Sequence, residues 1–247
     1  MFKILHRVRR LVSGFSMLKK IYLTIFRLLP VHTRYELNRK LRSPYSSLEE
    51  ENKIIFIHIP KAAGNALIKS LYGRAATGHD PVSRYKSYNA DKFSSYYKFA
   101  VVRNPWDRVV SSYHYLKQGG MGFFDNDFSD GYLSEVDNFE EFIYRLRDDA
   151  LFRGKVMTWV HFVPQIDFLS LDGEYILVDK IVKLEEIEVG FKELCVELNA
   201  ESMGLIKDNR SNRSKYQDYY NSKTIEIVRG LYSTDIKLLN YQFGSSK

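Results

Sequence analysis

Three short stretches of the chain are apolar at nearly every position: "KIIFIHI" over 53–59, "YKFAVV" over Tyr97–Val102 and "EYILVDKIV" over 174–182. A strand with one wet face alternates apolar and polar residues, so an unbroken apolar run suits a strand covered on both faces, as in a parallel sheet. Apolar residues at helical spacing fill 66–72, 105–117, 139–150, 185–198 and, with breaks, 215–240. Strands alternating with helices predict an α/β domain of three layers, a mainly parallel central sheet flanked by helices. Ligands of such folds bind where strand C-termini meet helix N-termini. The junctions after the first two strands are therefore where chemistry is expected.

The beginning of the chain has a different pattern. "MFKILHRVRRLVSGFSMLKKIYLTIFRLLP" places Lys or Arg every few positions among Phe, Ile and Leu. Its uncharged runs, 11–18 and 21–26, fall short of the roughly 20 apolar residues that cross a bilayer, and no apolar stretch ends in a small-residue cleavage site. It reads either as a helix lying on an anionic membrane face through residues 1–42 or as a helix packed on the domain with a solvated basic side. "RSPYSSLEEEN", 42–52, reads as a linker. The expected organisation is a basic amphipathic extension and linker over 1–52, then the α/β domain over 53–247.

Charge changes the picture of possible partners. The 247 residues carry a formal +7, but residues 1–42 hold eleven Lys and Arg against one acid, Glu36, or +10. The rest holds 26 basic and 29 acidic residues, or −3. A slightly acidic domain has no basic cloak for nucleic acid. The single cysteine, Cys195, excludes an intrachain disulfide and suits a reducing compartment.

At the first junction, "FIHIPKAAGN" leads a strand into Lys61, Ala62, Ala63 and Gly64, with Asn65 as expected N-cap of the following helix. Small residues ahead of a helix N-terminus leave unpaired N–H groups open to an anion, and Lys61 adds a point charge. The Walker spacing G-x-x-x-x-G-K-[ST] is absent, because here the lysine precedes the glycine. At the second junction, "VVRNPWDRVVSSYHYL" gives Asn104 as N-cap, Pro105 at the first helical position and Asp107 two residues later, a capping-box arrangement. Trp106, Val109, Val110 and Tyr113 form that helix's apolar face, with Ser111 on the side of Asp107, Arg108 and His114. Arg103 and Ser111 either grip one phosphate from two directions, or Arg103 and Arg108 are spent on ion pairs with Asp107 and other acids.

Taken together, "IPKAAGNAL" resembles the 5′-phosphosulfate loop, and "RNPWDRVVSSY" the 3′-phosphate motif, of sulfotransferases that use 3′-phosphoadenosine-5′-phosphosulfate (PAPS). Within that family the chain resembles carbohydrate sulfotransferases of the heparan 2-O and chondroitin type and their bacterial counterparts. Weaker likeness runs through "GHDPVSRY", "FVPQIDFL" and "LVDKIVKLEEIE" and covers roughly 53–243. The resemblance implies a P-loop-like domain that transfers a sulfuryl group from PAPS, without a metal, to a hydroxyl of a glycan or lipid-linked saccharide. It implies that Lys61 and the backbone of Ala63, Gly64, Asn65 and Ala66 hold the 5′ end, and that Arg103 and Ser111 hold the 3′-phosphate. His79, between the motifs in "TGHDP", stands where related enzymes carry their catalytic histidine, the alternative being an ordinary loop histidine. His58 is expected in the core, His114 and His161 are weaker candidates for the base, and Asp179 is expected to be structural. Ser211 and Arg213, in the basic loop 207–216, are either cofactor contacts or solvated. The family usually carries hydroxyl residues after the loop glycine, where this chain has Asn65 and Ala66. That departure keeps a catalytically silent, membrane-associated binding protein in view, beside a P-loop kinase or ATPase. The missing membrane span and lone cysteine lead to an expected cytoplasmic location, at the inner membrane face.

Overall fold

The computed structural model describes residues 24–76, 78–201, 204–206 and 214–244. Most of the basic N-terminal segment, and Ser211 and Arg213, lie outside the described residues. The elements in chain order are α1 (Val31–Lys40), α2 (Ser47–Asn52), β1 (Ile54–Ile57), α3 (Gly64–Tyr72), α4 (Val82–Tyr88), α5 (Ala90–Ser95), β2 (Tyr97–Val102), α6 (Pro105–Lys117) and α7 (Phe123–Phe128). There follow α8 (Phe139–Asp148), α9 (Ala150–Met157), α10 (Ile166–Leu169), β3 (Lys180–Lys183), α11 (Ile187–Glu197), α12 (Ser222–Leu231) and α13 (Ser233–Leu238).

The fold is α/β. β1, β2 and β3 form a parallel sheet in that order, with Ile54 opposite Tyr97 and Phe99 opposite Lys180. All of β1 and the last four residues of β2 are buried, as expected of parallel strands covered by helices on both faces. β2 and α6 have the bounds their sequence pattern predicts, but β3 begins only at Lys180, because Glu174 to Asp179 run as loop. Asp179 there accepts from the Lys98 amide at 2.7 Å, a structural use.

Four parts differ from the sequence expectation. The 42–52 stretch is not merely a linker: Ser46 and Glu49 form a capping box on α2, and Tyr45 and Leu48 are buried. α3 starts at Gly64 with Ala63 as its cap, so Asn65 falls inside the first turn and accepts from the Ala76 amide at 3.2 Å instead. Asp107 completes no capping box on α6; its carboxylate is drawn to Arg103. Arg108 is not on the wet side of α6 but 1% exposed. Among the described residues, no helix is long and apolar enough to cross a membrane.

Candidate functional site

The loop from β1 into α3 bends through two residues with left-handed backbone, Lys61 (φ 67°) and Ala63 (φ 58°). For residues with a Cβ this conformation costs roughly 1 kcal/mol or more each, so the surrounding contacts must hold it. They are supplied by α6 and by the turn that leads into it. Arg108 donates from Nε to the Pro60 carbonyl at 3.1 Å and from Nη1 to the Val163 carbonyl at 2.8 Å. Arg103 donates from Nη1 to the Lys61 carbonyl at 2.9 Å. Among the described residues, Ala63 as N-cap offers α3 no side-chain cap.

Arg108, Ser111 and Tyr115 are spaced i, i+3, i+7 on α6, one helical stripe. Its two ends both meet the loop, Arg108 at Pro60 and Tyr115 beneath the Lys61 ammonium, whose Nζ lies 3.8 Å from the ring centroid. Half-buried Ser111 sits between them. Arg103 also pairs with Asp107 through Nε and Nη2, each at 2.8 Å. The ion pair weighed from sequence therefore exists for Arg103, while Arg108 spends its fork on carbonyls. Gln165, fully buried, fastens the end of β2: its Oε1 accepts from the Arg103 amide and its Nε2 donates to the Arg103 carbonyl, each at 2.8 Å.

His58 is in the core, as expected, and also serves the site. Its Nδ1 donates to the Gly78 carbonyl at 3.0 Å, and its own carbonyl accepts from His79 Nδ1 at 2.8 Å. Because a carbonyl only accepts, His79 carries its proton on Nδ1 and keeps the Nε2 lone pair. The two rings are 4.3 Å apart. Burial, with His58 and His161 alongside, holds His79 well below its usual pKa of 6.5, so it is neutral.

His161 lies 6.0 Å from His79 and 4.9 Å from Tyr115, ring to ring. His161 Nε2 donates to Asp125 at 3.1 Å, and the Tyr115 hydroxyl donates to the same carboxylate at 2.7 Å. Burial lowers the pKa of His161 against the pull of Asp125, with Lys61 and Arg108 adding to the fall. Burial would raise Asp125, but hydrogen bonds from His161, Tyr115 and the Met121 amide outweigh it and keep the carboxylate ionised. His161 Nδ1 is buried and has no hydrogen-bond partner among the described residues. A row of rings, His58, His79, His161 and Tyr115, thus runs to the Lys61 ammonium.

Arg103 meets Lys61 directly and His79 reaches it through His161 and Tyr115; Ser111 is placed by its position on α6 between Arg108 and Tyr115, while His114 packs against Tyr113 and Tyr219. Tyr115, Asp125, Gln165 and the inward Arg108 escaped the sequence reading. Tyr115 had a usable signal, one turn beyond Ser111 on the same stripe; Asp125 is 36 residues from His161 and had none. Among the described residues, no group of three or more His, Cys, Asp or Glu side chains is placed to hold a metal.

Gly64 is needed for packing rather than for backbone freedom. A Cβ there would lie 2.5 Å from His58 Cδ2 and 2.8 Å from Phe56 Cζ. Gly64→Ala is expected to cost about 1–3 kcal/mol by overpacking, seen as a lowered midpoint in thermal unfolding. An unchanged midpoint would mean that both rings move aside freely.

A sequence profile described as "Sulfotransferase family" matches residues 46–242. No curated protein matches the chain, and no solved structure does.

Proposed function

The chain belongs to the sulfotransferase family, and from that premise we propose that it transfers a sulfuryl group from PAPS to a hydroxyl of a glycan or glycoconjugate. The observation that carries this reading is the 2.9 Å bond from Arg103 to the Lys61 carbonyl. It brings two strand-to-helix junctions to one place, so that one nucleotide phosphorylated at both ends can span them.

The residues present fit such a donor. An uncapped helix start beside an ammonium suits the 5′ end, and a guanidinium with a hydroxyl two turns along α6 suits the 3′-phosphate. Asn65 and Ala66 contribute through their amides, which need no hydroxyl side chain. Phosphate at Arg103 competes with Asp107 for the guanidinium. PAPS, when bound, would supply the sulfuryl group that the acceptor oxygen receives, leaving adenosine 3′,5′-bisphosphate behind. Lys61 and the turn amides of Ala63, Gly64 and Asn65 neutralise the charge that gathers on the departing phosphate. His79 takes the acceptor's hydroxyl proton at Nε2 while its Nδ1–H stays on the His58 carbonyl.

Thermal unfolding with nucleotides tests the reading. Adenosine 3′,5′-bisphosphate at 100 times its Kd is expected to stabilise the protein by about 2.7 kcal/mol, with Mg-ATP giving little. Stabilisation by Mg-ATP alone would instead support a kinase or ATPase, and a response to neither a silent binding protein.

A further inference from the structure

We propose that two adjoining cavities beside His79 form the acceptor cleft, that α1 is one of its walls, and that its ligand is an uncharged, hydroxyl-rich saccharide chain. This rests on the sulfotransfer reading above and narrows its substrate. The smaller cavity, about 160 Å³, is lined by His79 together with Tyr35, Glu36 and Arg39 of α1 and with Thr158 and Asp167. The larger, about 630 Å³, shares Tyr35, Glu36 and Thr158 with it and continues past Trp159 and Lys155 to Leu151, which is 83% exposed. The larger volume is within the range of small-molecule sites, and because the two cavities share a wall we read them as one trough that ends at the candidate base. An extended chain fits that shape better than a compact metabolite.

α1 precedes the 46–242 stretch that matches the family, yet it is tied to the site. Arg84 donates to the carbonyls of Arg39 and Arg42. Asp80, next to His79 and 4% exposed, pairs with Arg84 at 2.9 Å, Arg42 at 3.6 Å and Arg39 at 3.8 Å. Arg34 pairs with Asp127 of α7 at 2.6 Å. The residue that follows the candidate base is thus the anchor for the helix that walls the trough.

The lining chemistry selects the ligand. Two acids, Glu36 and Asp167, face two bases, Arg39 and Lys155, and Arg39 is already paired with Glu36 at 2.6 Å. Burial holds His32 and His79 neutral. A uronate-rich or sulfated chain needs an excess of cations, which this lining lacks. Tyr35 and Trp159 line the larger cavity, and aromatic walls of this kind suit the apolar faces of sugar rings.

Saturation-transfer NMR on the full chain with adenosine 3′,5′-bisphosphate present tests this. The probes are neutral hexasaccharides of glucose, mannose and N-acetylglucosamine, set against a chondroitin hexasaccharide. At least one neutral probe is expected to bind. Thr158→Trp, which plugs the junction of the two cavities from an exposed position, should weaken that binding tenfold or more, and Thr158→Ser should not. Both variants should keep the wild-type thermal shift with adenosine 3′,5′-bisphosphate, which shows them folded. Binding of chondroitin alone, neutral binding indifferent to Thr158→Trp, or no saccharide binding by protein that the bisphosphate stabilises would each overturn the cleft. Neutral binding without any bisphosphate shift would keep the cleft and sink the sulfotransfer reading.

Discussion

Lys61→Ala is expected to lower kcat for sulfuryl transfer by about 10³-fold, the loss that follows removal of one preorganised charge partner of a transition state. The ammonium sits over Tyr115 at 3.8 Å, and Tyr115 also donates to Asp125, so its position is set before any ligand arrives. The loop keeps its shape without the side chain, because its anchors are backbone carbonyls: Pro60 to Arg108 and Lys61 to Arg103. The cation–π contact with Tyr115 that leaves the folded state is worth about 0.5–2 kcal/mol. The distinguishing result is therefore a large fall in kcat with a much smaller change in affinity for adenosine 3′,5′-bisphosphate. Lys61→Arg should recover little, since a planar fork does not replace a point charge in a turn this tight. A fall in kcat of less than tenfold would remove Lys61 from the proposed chemistry.

His79→Ala is expected to cost about 10²–10⁴-fold in kcat, the usual worth of a positioned base. The pH behaviour gives a sharper check. His79 is held well below pKa 6.5 by burial first and then by His58 and His161, so it remains a competent base on the acid side of neutrality. kcat/KM should stay level as pH falls from 7 through 6.5 and drop only at more acid pH, and His79→Ala should abolish that limb. The same shift works on stability. Below pH 6.5 the unfolded chain takes up a proton that folded His79 refuses, so unfolding becomes easier as pH falls, by up to about 1.4 kcal/mol per pH unit for each such group. Above 6.5 the effect vanishes. His161 and His32, also lowered by burial, add to the slope. Denaturant unfolding between pH 7 and 5 should show His79→Phe with a shallower acid loss than the wild type; equal slopes would mean that His79 is protonated in the fold.

Much of the scaffold was legible because it rests on neighbours in the chain. Asn104 caps α6 by accepting from the Trp106 amide two residues on, at 3.1 Å, and Pro105 can occupy only a first turn. The apolar run of β2 needs no partner to declare that both its faces are covered. The start of α3 differs from its expected place because Lys61 and Ala63 adopt left-handed backbone, which their side chains do not announce; it is held by Arg103, just ahead of α6, and Arg108 within it. α2 escaped as a helix inside a presumed linker because its stability comes partly from burying Tyr45 and Leu48.

By itself the sequence determined the alternation of strands and helices, the two junctions, and the residue types that suit an anion there, since all of these follow from local periodicity, capping and charge. Only the tertiary structure decided that Arg103 meets the Lys61 carbonyl, that Arg108 turns inward, that Asp125 bonds His161, and that α1 lines a cavity beside His79. Those pairings join residues from about 36 to more than 40 positions apart. Their existence depends on which surfaces packing leaves in contact, and no spacing rule along the chain encodes that.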